Sequence, residues 1–494
     1  MRRWLLVMLL LLTYWLSRGW ALESLPLHND EGLHLTRAVQ VWDLHPFWQI
    51  NDGKIVNHWL IALFYPQNAP VFAGRIATVL VGALGLAASY ALAGRLAGPT
   101  AAWLAGILWL GCPYLFFYER MALSDAEAGA LALVTLWAGV RLAQRGRARD
   151  AALTGIALAT AALFKFTAAP FAVVVALVVA LTGRVPRQKR LINLVIIAAV
   201  VLVCFAVPLL YLYTRNGNFD VALGWIGQPG DRSAATENAM RLWTQLTDFG
   251  PPIWSALTLI GLAAFLAVRP APATGLARLG RWSNVVLLLA GLLPVAAITL
   301  LGTEALPRHY VVGLPTALTL AGAGLGTTLE RGTSRQGRRA AVGTLMVILA
   351  ASMLPFAWTA YRDPGELPLP AQVRGQYITD HSAGFGLREA VLNFPQTITQ
   401  SDALIVASMF PDSCRRANFY AARSYTMLCT DAPGLPVIES ALVEHGAVYV
   451  LVEQPPIGVD IRTLNAHATR VAGYPRPGET EATASVTLWR LERL

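Results

Sequence analysis

Long apolar runs separated by short polar breaks fill the first 360 residues. Runs long enough to cross roughly 30 Å of hydrocarbon as helices are predicted near 4–22, 71–95, 100–117, 122–142, 151–165, 166–182, 191–213, 252–270, 284–301, 310–329 and 341–360. The fifth and sixth are short and joined almost without a loop. Beyond residue 361 the pattern changes: Pro364, Pro368 and Pro370 mark a linker, and a mixed pattern follows. Phe385–Phe394 reads as a helix, 403–409 and 447–452 as buried strands, and 485–491 alternates like an edge or antiparallel strand. The predicted fold is an α-helical polytopic membrane protein of about 11 transmembrane helices with a small C-terminal α/β domain. Its domains are 1–360, with a first outer loop at 23–70, and 361–494.

Composition agrees: of 494 residues 55% are hydrophobic and 14% charged, too apolar for a typical soluble domain. The net charge of +10 does not point to nucleic acid, because it lies in short runs between apolar segments, such as Arg141–Arg149 and Arg184–Arg190. Those runs, with Arg95, Arg278, Arg281 and Arg331–Arg339, fall on the side of Arg2 and Arg3, which the positive-inside rule makes cytoplasmic. The first run reads as a retained signal anchor. The expected location is the cell (plasma or inner) membrane, multi-pass, with the N-terminus cytoplasmic and the C-terminal domain outside. Cys414 and Cys429 fall in that outer domain, as a disulfide or as two buried thiols; Cys112 and Cys204 fall in membrane helices.

With this topology the polar residues collect on the outer face. Asp30 and Glu31 lie in His28-Asn29-Asp30-Glu31-Gly32-Leu33-His34, Lys54 in Asn51-Asp52-Gly53-Lys54, and Asp125 after Leu123-Ser124. Lys165 sits in the hairpin between the two short helices, and Arg308-His309-Tyr310 at the end of a later one. Lysine occurs only at 54, 165 and 189, so two of three belong to this set. Ionisable groups near membrane depth are costly and mark function by default.

These residues carry a resemblance. Asp30-Glu31-Gly32-Leu33-His34, with the amphipathic stretch to Trp42, resembles the acidic first-loop motif of GT-C glycosyltransferases that use polyprenyl-phosphate sugars, a group including protein O-mannosyltransferases and the aminoarabinose transferases of lipid A. Gly53-Lys54 before His58-Trp59, Leu123-Ser124-Asp125, Leu163-Phe164-Lys165 and Arg308-His309-Tyr310 through Pro315 resemble later motifs of that family, in order, over most of residues 1–330. Ile55, Phe164, Phe166 and His309 depart from its pattern, which leaves sugar and acceptor open.

The resemblance implies transfer of a monosaccharide from a polyprenyl-phosphate donor to a lipid, glycan or protein acceptor outside the cytoplasm, with inversion. It implies Asp30 as the catalytic carboxylate, Glu31 and Asp125 as supporting acids, and Lys54, Arg308 and Lys165 as phosphate-binding cations, with His34, His58 and Tyr310 as further candidates. Each has a plainer reading. Asp30 alone is a solvated loop acid, Lys54 a snorkelling lysine, Lys165 a helix-end cap, and Asp125 a partner for Arg120 or another cation. Trp42, Trp48, Trp59 and Trp225 line a lipid groove or anchor the interface, and the polar loop 214–251 is a mobile cover or a connector. His28, His34, His58 and His309 have no diagnostic metal spacing, so no cofactor is expected, a divalent cation being the alternative. A transporter is the alternative function, although it would place polar groups at the midplane on internal repeats. A receptor or assembly protein would leave the buried lysine and aspartates without purpose.

Overall fold

The computed structural model describes residues 2–66, 69–182, 185–224, 234–267, 282–302, 305–398, 404–409, 411–421, 425–429, 434–454, 461 and 464–494. They form two compact units. The first comprises Met1–Leu22, Gln40–Phe64 and Arg75–Trp358; the second comprises Glu23–Val39, Tyr65–Gly74 and Thr359–Leu494. The expected first outer loop is thus divided between both units. It is also not extended: Asn29–Trp42 and Ile55–Ala62 are helices. The first buries a stripe that mixes polar and apolar residues and so escapes a search for long apolar runs. Its buried positions, Glu31, Gly32, His34, Leu35, Arg37 and Ala38, recur at helical spacing.

The first unit is helical. Helices occupy the described parts of all eleven expected stretches. Among the described residues, however, four are long and apolar enough to cross a bilayer singly, Pro70–Leu110, Ser124–Arg145, Arg187–Asn216 and Arg335–Arg362, or six if two bent pairs each count as one. The stretches 71–95 and 100–117 share the helix Pro70–Leu110, which breaks at Gly98, where φ is +86° and Pro99 follows. Ala148–Phe164 is a shorter helix, and 166–182 passes through 3₁₀, α and π geometry.

Burial sorts these helices by role. The apolar window of Arg187–Asn216 is only 11% buried within the protein, as suits a lipid-facing helix, whereas that of Ser124–Arg145 is 83% buried. The buried helix carries Asp125 and Glu127. The second half of the expected outer loop 214–251 is a helix, Ala234–Asp248, and Asn238 pins it: Nδ2 donates to Gly302 O at 2.9 Å, and Oδ1 accepts from Ala305 N at 3.0 Å. This half is anchored, not loose. Trp225, Asp231 and Arg232 lie outside the described residues.

The second unit contains a five-stranded sheet, β1 Leu404–Ser408, β2 Thr426–Leu428, β3 Ala447–Glu453, β4 Ala466–Tyr474 and β5 Val486–Arg493, in the order β2-β1-β3-β5-β4. β1 pairs in parallel with β2 and β3, and β5 pairs antiparallel with β3 and β4. Strand periodicity explains the core. Val448, Val450 and Val452 pack on one face with Ile438 and Leu442 of helix Leu435–His445. Tyr449 and Leu451 pack on the other with Leu387 and Val391 of helix Leu387–Leu392 and with Cys414 and Ala417. Both faces are covered, so β3 reads as a continuous apolar run. A disulfide joins Cys414 to Cys429, with Cα atoms 5.6 Å apart; Cys112 and Cys204 are free thiols.

Candidate active site

In the first unit, five of the expected polar residues come together. Lys54 closes a turn in which Gly53 has φ +74° and donates its N–H to Ile50 O at 2.9 Å. Its Nζ lies 2.9 Å from Asp52 Oδ2. Lys165 occupies the extended break between helix Ala148–Phe164 and the 3₁₀ turn Phe166–Ala168, and its Nζ binds the Asp125 carboxylate. Asp125 thus has a cation partner in Lys165. The Arg120 guanidinium donates to the carbonyls of Trp20 and Ala21, at 2.6 and 2.7 Å, just past the first helix.

Arg308 and His309 stand on the 3₁₀ turn Pro307–Val312. Both are within electrostatic reach of Asp125 and Lys165, and Lys54 also reaches Lys165 and His309. Burial, and then the nearby Lys165 charge, push the His309 imidazole down to about 3, so it is neutral at ordinary pH. Three basic side chains from separate elements, Lys54, Lys165 and Arg308, therefore face one neighbourhood with two carboxylates, Asp52 and Asp125. Such a cluster can hold a group with more than one negative oxygen.

Tyr310 serves the scaffold. Its hydroxyl donates to Asn238 O at 2.7 Å, and Tyr114 Oη donates to Pro307 O, which fixes both ends of the turn. His58 is buried on helix Ile55–Ala62. Trp42 and Trp59, both partly exposed, donate their indole N–H groups to Ala62 O and Pro46 O at 2.7 and 2.9 Å. These bonds brace the two short helices, whichever lipid contact the rings also make.

In the second unit, Asp30 and Glu31 form the first turn of helix Asn29–Trp42, where the helix dipole favours carboxylates. They take different roles because successive helical side chains diverge by about 100°. Glu31 is fully buried, and its Oε2 accepts the His28 N–H at 2.9 Å, half of a capping box. Asp30 is only half-buried. His34 is buried one turn on. Among the described residues, no group of three or more His, Cys, Asp and Glu side chains has the arrangement of a metal site.

The comparisons bear on this arrangement. Residues 52–211 match the dolichyl-phosphate-mannose-protein mannosyltransferase family. ArnT from Cupriavidus metallidurans bound to undecaprenyl phosphate has a TM-score of 0.64 at 16% identity, over 98% of this chain and 97% of that one. The chain shares the fold of ArnT. ArnT in the apo state gives the same TM-score at 15% identity. The archaeal oligosaccharyltransferase AglB from Archaeoglobus fulgidus, in complex with an inhibitory peptide and a dolichol-phosphate, gives 0.52 at 10% identity, over 90% of this chain and 69% of that one. Among the curated proteins none matches the sequence.

The family match takes in Lys54, Asp125 and Lys165 and leaves Asp30 and Arg308 to either side. It also spans Asp52, Asn57 and Glu127, whose partners only the structure reveals. Asp52 holds Lys54. Glu127, fully buried, accepts from Asn57 Nδ2 at 2.5 Å and from Thr78 Oγ1 at 3.1 Å. A second acid two residues after Asp125 in an apolar helix was a signal for it. Nothing local pointed to Asn57.

Proposed function

We propose that this GT-C protein transfers a monosaccharide from a polyprenyl-phosphate donor to an acceptor hydroxyl or amine on the extracytoplasmic side of the membrane, with inversion at the anomeric carbon. The observation that carries the reading is the gathering of Lys54, Lys165 and Arg308, from distant parts of an apolar chain, into one neighbourhood. Cations held there before the reaction stabilise a phosphate as negative charge develops on it. Undecaprenyl phosphate bound to ArnT and dolichol-phosphate bound to AglB support the donor class.

In this reading Asp30 accepts the proton as the acceptor atom bonds to the anomeric carbon. The bond from that carbon to the phosphate oxygen breaks, its electron pair stays on the oxygen, and polyprenyl phosphate departs. Lys54 and Arg308 hold the phosphate, Arg308 with a bidentate grip; Lys165, paired to Asp125, adds charge from behind. Glu31 and Asp125 are supporting acids. Because three side-chain cations serve the phosphate, no metal or other cofactor is required, and chelation of divalent ions leaves the rate unchanged. In this reading the N-terminus lies in the cytoplasm, as the basic runs favour, and the C-terminal domain lies outside, where a disulfide is stable.

The test is transfer from radiolabelled polyprenyl-phosphate monosaccharides in membranes carrying wild type or Asp30→Asn. Transfer by wild type that disappears in a well-inserted Asp30→Asn supports both the activity and the catalytic carboxylate. Activity that survives the change moves the base elsewhere, and no transfer from any donor defeats the reading.

A further inference from the structure

Arg416 of the C-terminal domain is a fully buried guanidinium, and burying a charge is costly unless partners repay its lost water. The partner expected within the sheet is Glu453. That carboxylate is already matched: Arg476 Nη2 lies 2.9 Å from Glu453 Oε1, against 3.9 Å for Arg416 Nη2. Arg416 instead donates to carbonyls. Nη1 reaches Leu27 O and Ser382 O, both at 2.9 Å, and Nη2 reaches His381 O at 2.9 Å.

Leu27 lies three residues before Asp30, and its other peptide group is held from the same place. The Leu27 N–H donates to Tyr420 Oη at 2.8 Å, just beyond helix Pro411–Asn418. The neighbours are held as well. The His28 ring lies tilted against that of Tyr377, with ring centroids 4.6 Å apart, and Ser413 Oγ donates to Asn29 Oδ1 at 3.5 Å. A Cβ placed on Gly32 would come within 3.1 Å of Arg416 Cβ, so the acidic helix packs directly on the helix of Arg416. Residues 27, 28, 29 and 32 are therefore fixed from one side by one small domain, and Asp30 stands among them. The Cys414–Cys429 disulfide ties this same helix to the end of β2.

We infer that Arg416 is a positioning residue for Asp30, and that the C-terminal domain holds the catalytic turn in place rather than serving the acceptor alone. The inference rests on the proposed glycosyl transfer. Displacing a reacting group by about 1 Å costs on the order of 10²-fold in rate. Loss of the clasp therefore lowers kcat, while donor affinity, assigned to Lys54 and Arg308, stays.

The experiment uses the full-length protein in membranes or nanodiscs, with a polyprenyl-phosphate monosaccharide as donor. Arg416→Gln is expected to lower kcat on the order of 10²-fold with donor KM changed less than about 3-fold, and Arg416→Lys to restore part of the loss. Wild-type kcat in Arg416→Gln, or a loss confined to KM, overturns the inference. If Arg416→Gln does not insert, Tyr420→Phe carries the test: a lower kcat at unchanged donor KM supports the clasp, and an unchanged kcat overturns it. If wild type itself transfers nothing, the enzymatic reading fails separately. Backbone hydrogen exchange at residues 27–32 then decides, faster exchange in Tyr420→Phe supporting the clasp and unchanged exchange refuting it.

Discussion

Asn57 and Glu127, 70 residues apart in sequence, meet in the interior of the first unit, where Asn57 Nδ2 donates to Glu127 Oε2 at 2.5 Å. Thr78 Oγ1 donates to the other carboxylate oxygen at 3.1 Å. One side chain thereby joins three elements: the short helix that begins just after Lys54, the long helix from Pro70, and the helix of Asp125. Glu127→Gln can keep both bonds by turning its amide, since the threonine hydroxyl can also accept. Glu127→Ala leaves two buried polar groups unmatched, at about 1–3 kcal/mol each. Thermal melts in detergent should show Glu127→Gln near wild type and Glu127→Ala clearly lower. Donor KM should rise in Glu127→Ala as Lys54 loses its support.

Lys165 and Asp125 should behave as a coupled pair. Their side chains are 11% and 4% exposed, so removing one partner leaves the other charge buried and uncompensated, at about 3–5 kcal/mol. Asp125→Asn and Lys165→Gln should each destabilise strongly, and the double variant by clearly less than the sum. A double-mutant cycle of unfolding midpoints checks this. Additive losses would mean that the pair carries no coupling and that Lys165 has another partner.

The sequence made some of this legible and hid the rest for physical reasons. The long apolar runs show because a chain bathed in lipid cannot hide its length requirement, and β3 shows because both its faces are covered. Lys54, Asp125, Lys165 and Arg308 show because charges in an apolar chain are few. The helix Asn29–Trp42 was read as loop because its buried stripe includes Glu31, His34 and Arg37, polar residues whose burial depends on distant partners. β2, three residues long, and β4, with polar residues on its exposed side, carry too weak a pattern. Arg416 gave no signal, since its contact with Leu27 crosses 389 positions.

His309 sets an acid-side slope in stability without setting the rate. Its folded value of about 3 lies below the ordinary 6.5, so between these values the unfolded chain binds a proton that the folded chain does not. Stability therefore falls as pH drops from about 6.5 toward 3, and is insensitive to His309 above that window. His309→Gln should flatten this part of the stability profile and leave the shape of the activity profile above pH 7 unchanged. Melting temperatures taken across the range, beside initial rates, test both statements.

Lys54 and Asp52 make a graded prediction. The Lys54 and Asp52 side chains are partly exposed, at 16% and 32%, so the pair itself adds little to stability. In the proposed mechanism Asp52 competes with the donor phosphate for the ammonium group. Lys54→Met should weaken donor binding by one charge-assisted hydrogen bond, about 1.5–3 kcal/mol or roughly 10- to 150-fold in KM. Asp52→Asn should leave donor KM unchanged or lower it. A raised KM in Asp52→Asn would show that the carboxylate orients Lys54 more than it competes.

Gly384 offers a test of the second unit by itself. Its φ is +85°, a region that side chains rarely adopt, and a Cβ there would stand 2.5 Å from Leu27 O and 3.0 Å from Arg416 Nη1. Gly384→Ala therefore combines backbone strain of about 1–2 kcal/mol with a clash at the carbonyl that Arg416 holds. The turn cannot give way cheaply, because Leu27 is also fixed through its N–H by Tyr420. The variant should lose stability by more than the strain alone and lose kcat with it. Gly446→Ala makes the control: its φ is +74°, and a Cβ there meets nothing within 4 Å. It should carry a similar strain with little change in kcat. Equal rates in the two variants would show that displacement at Leu27 does not reach Asp30.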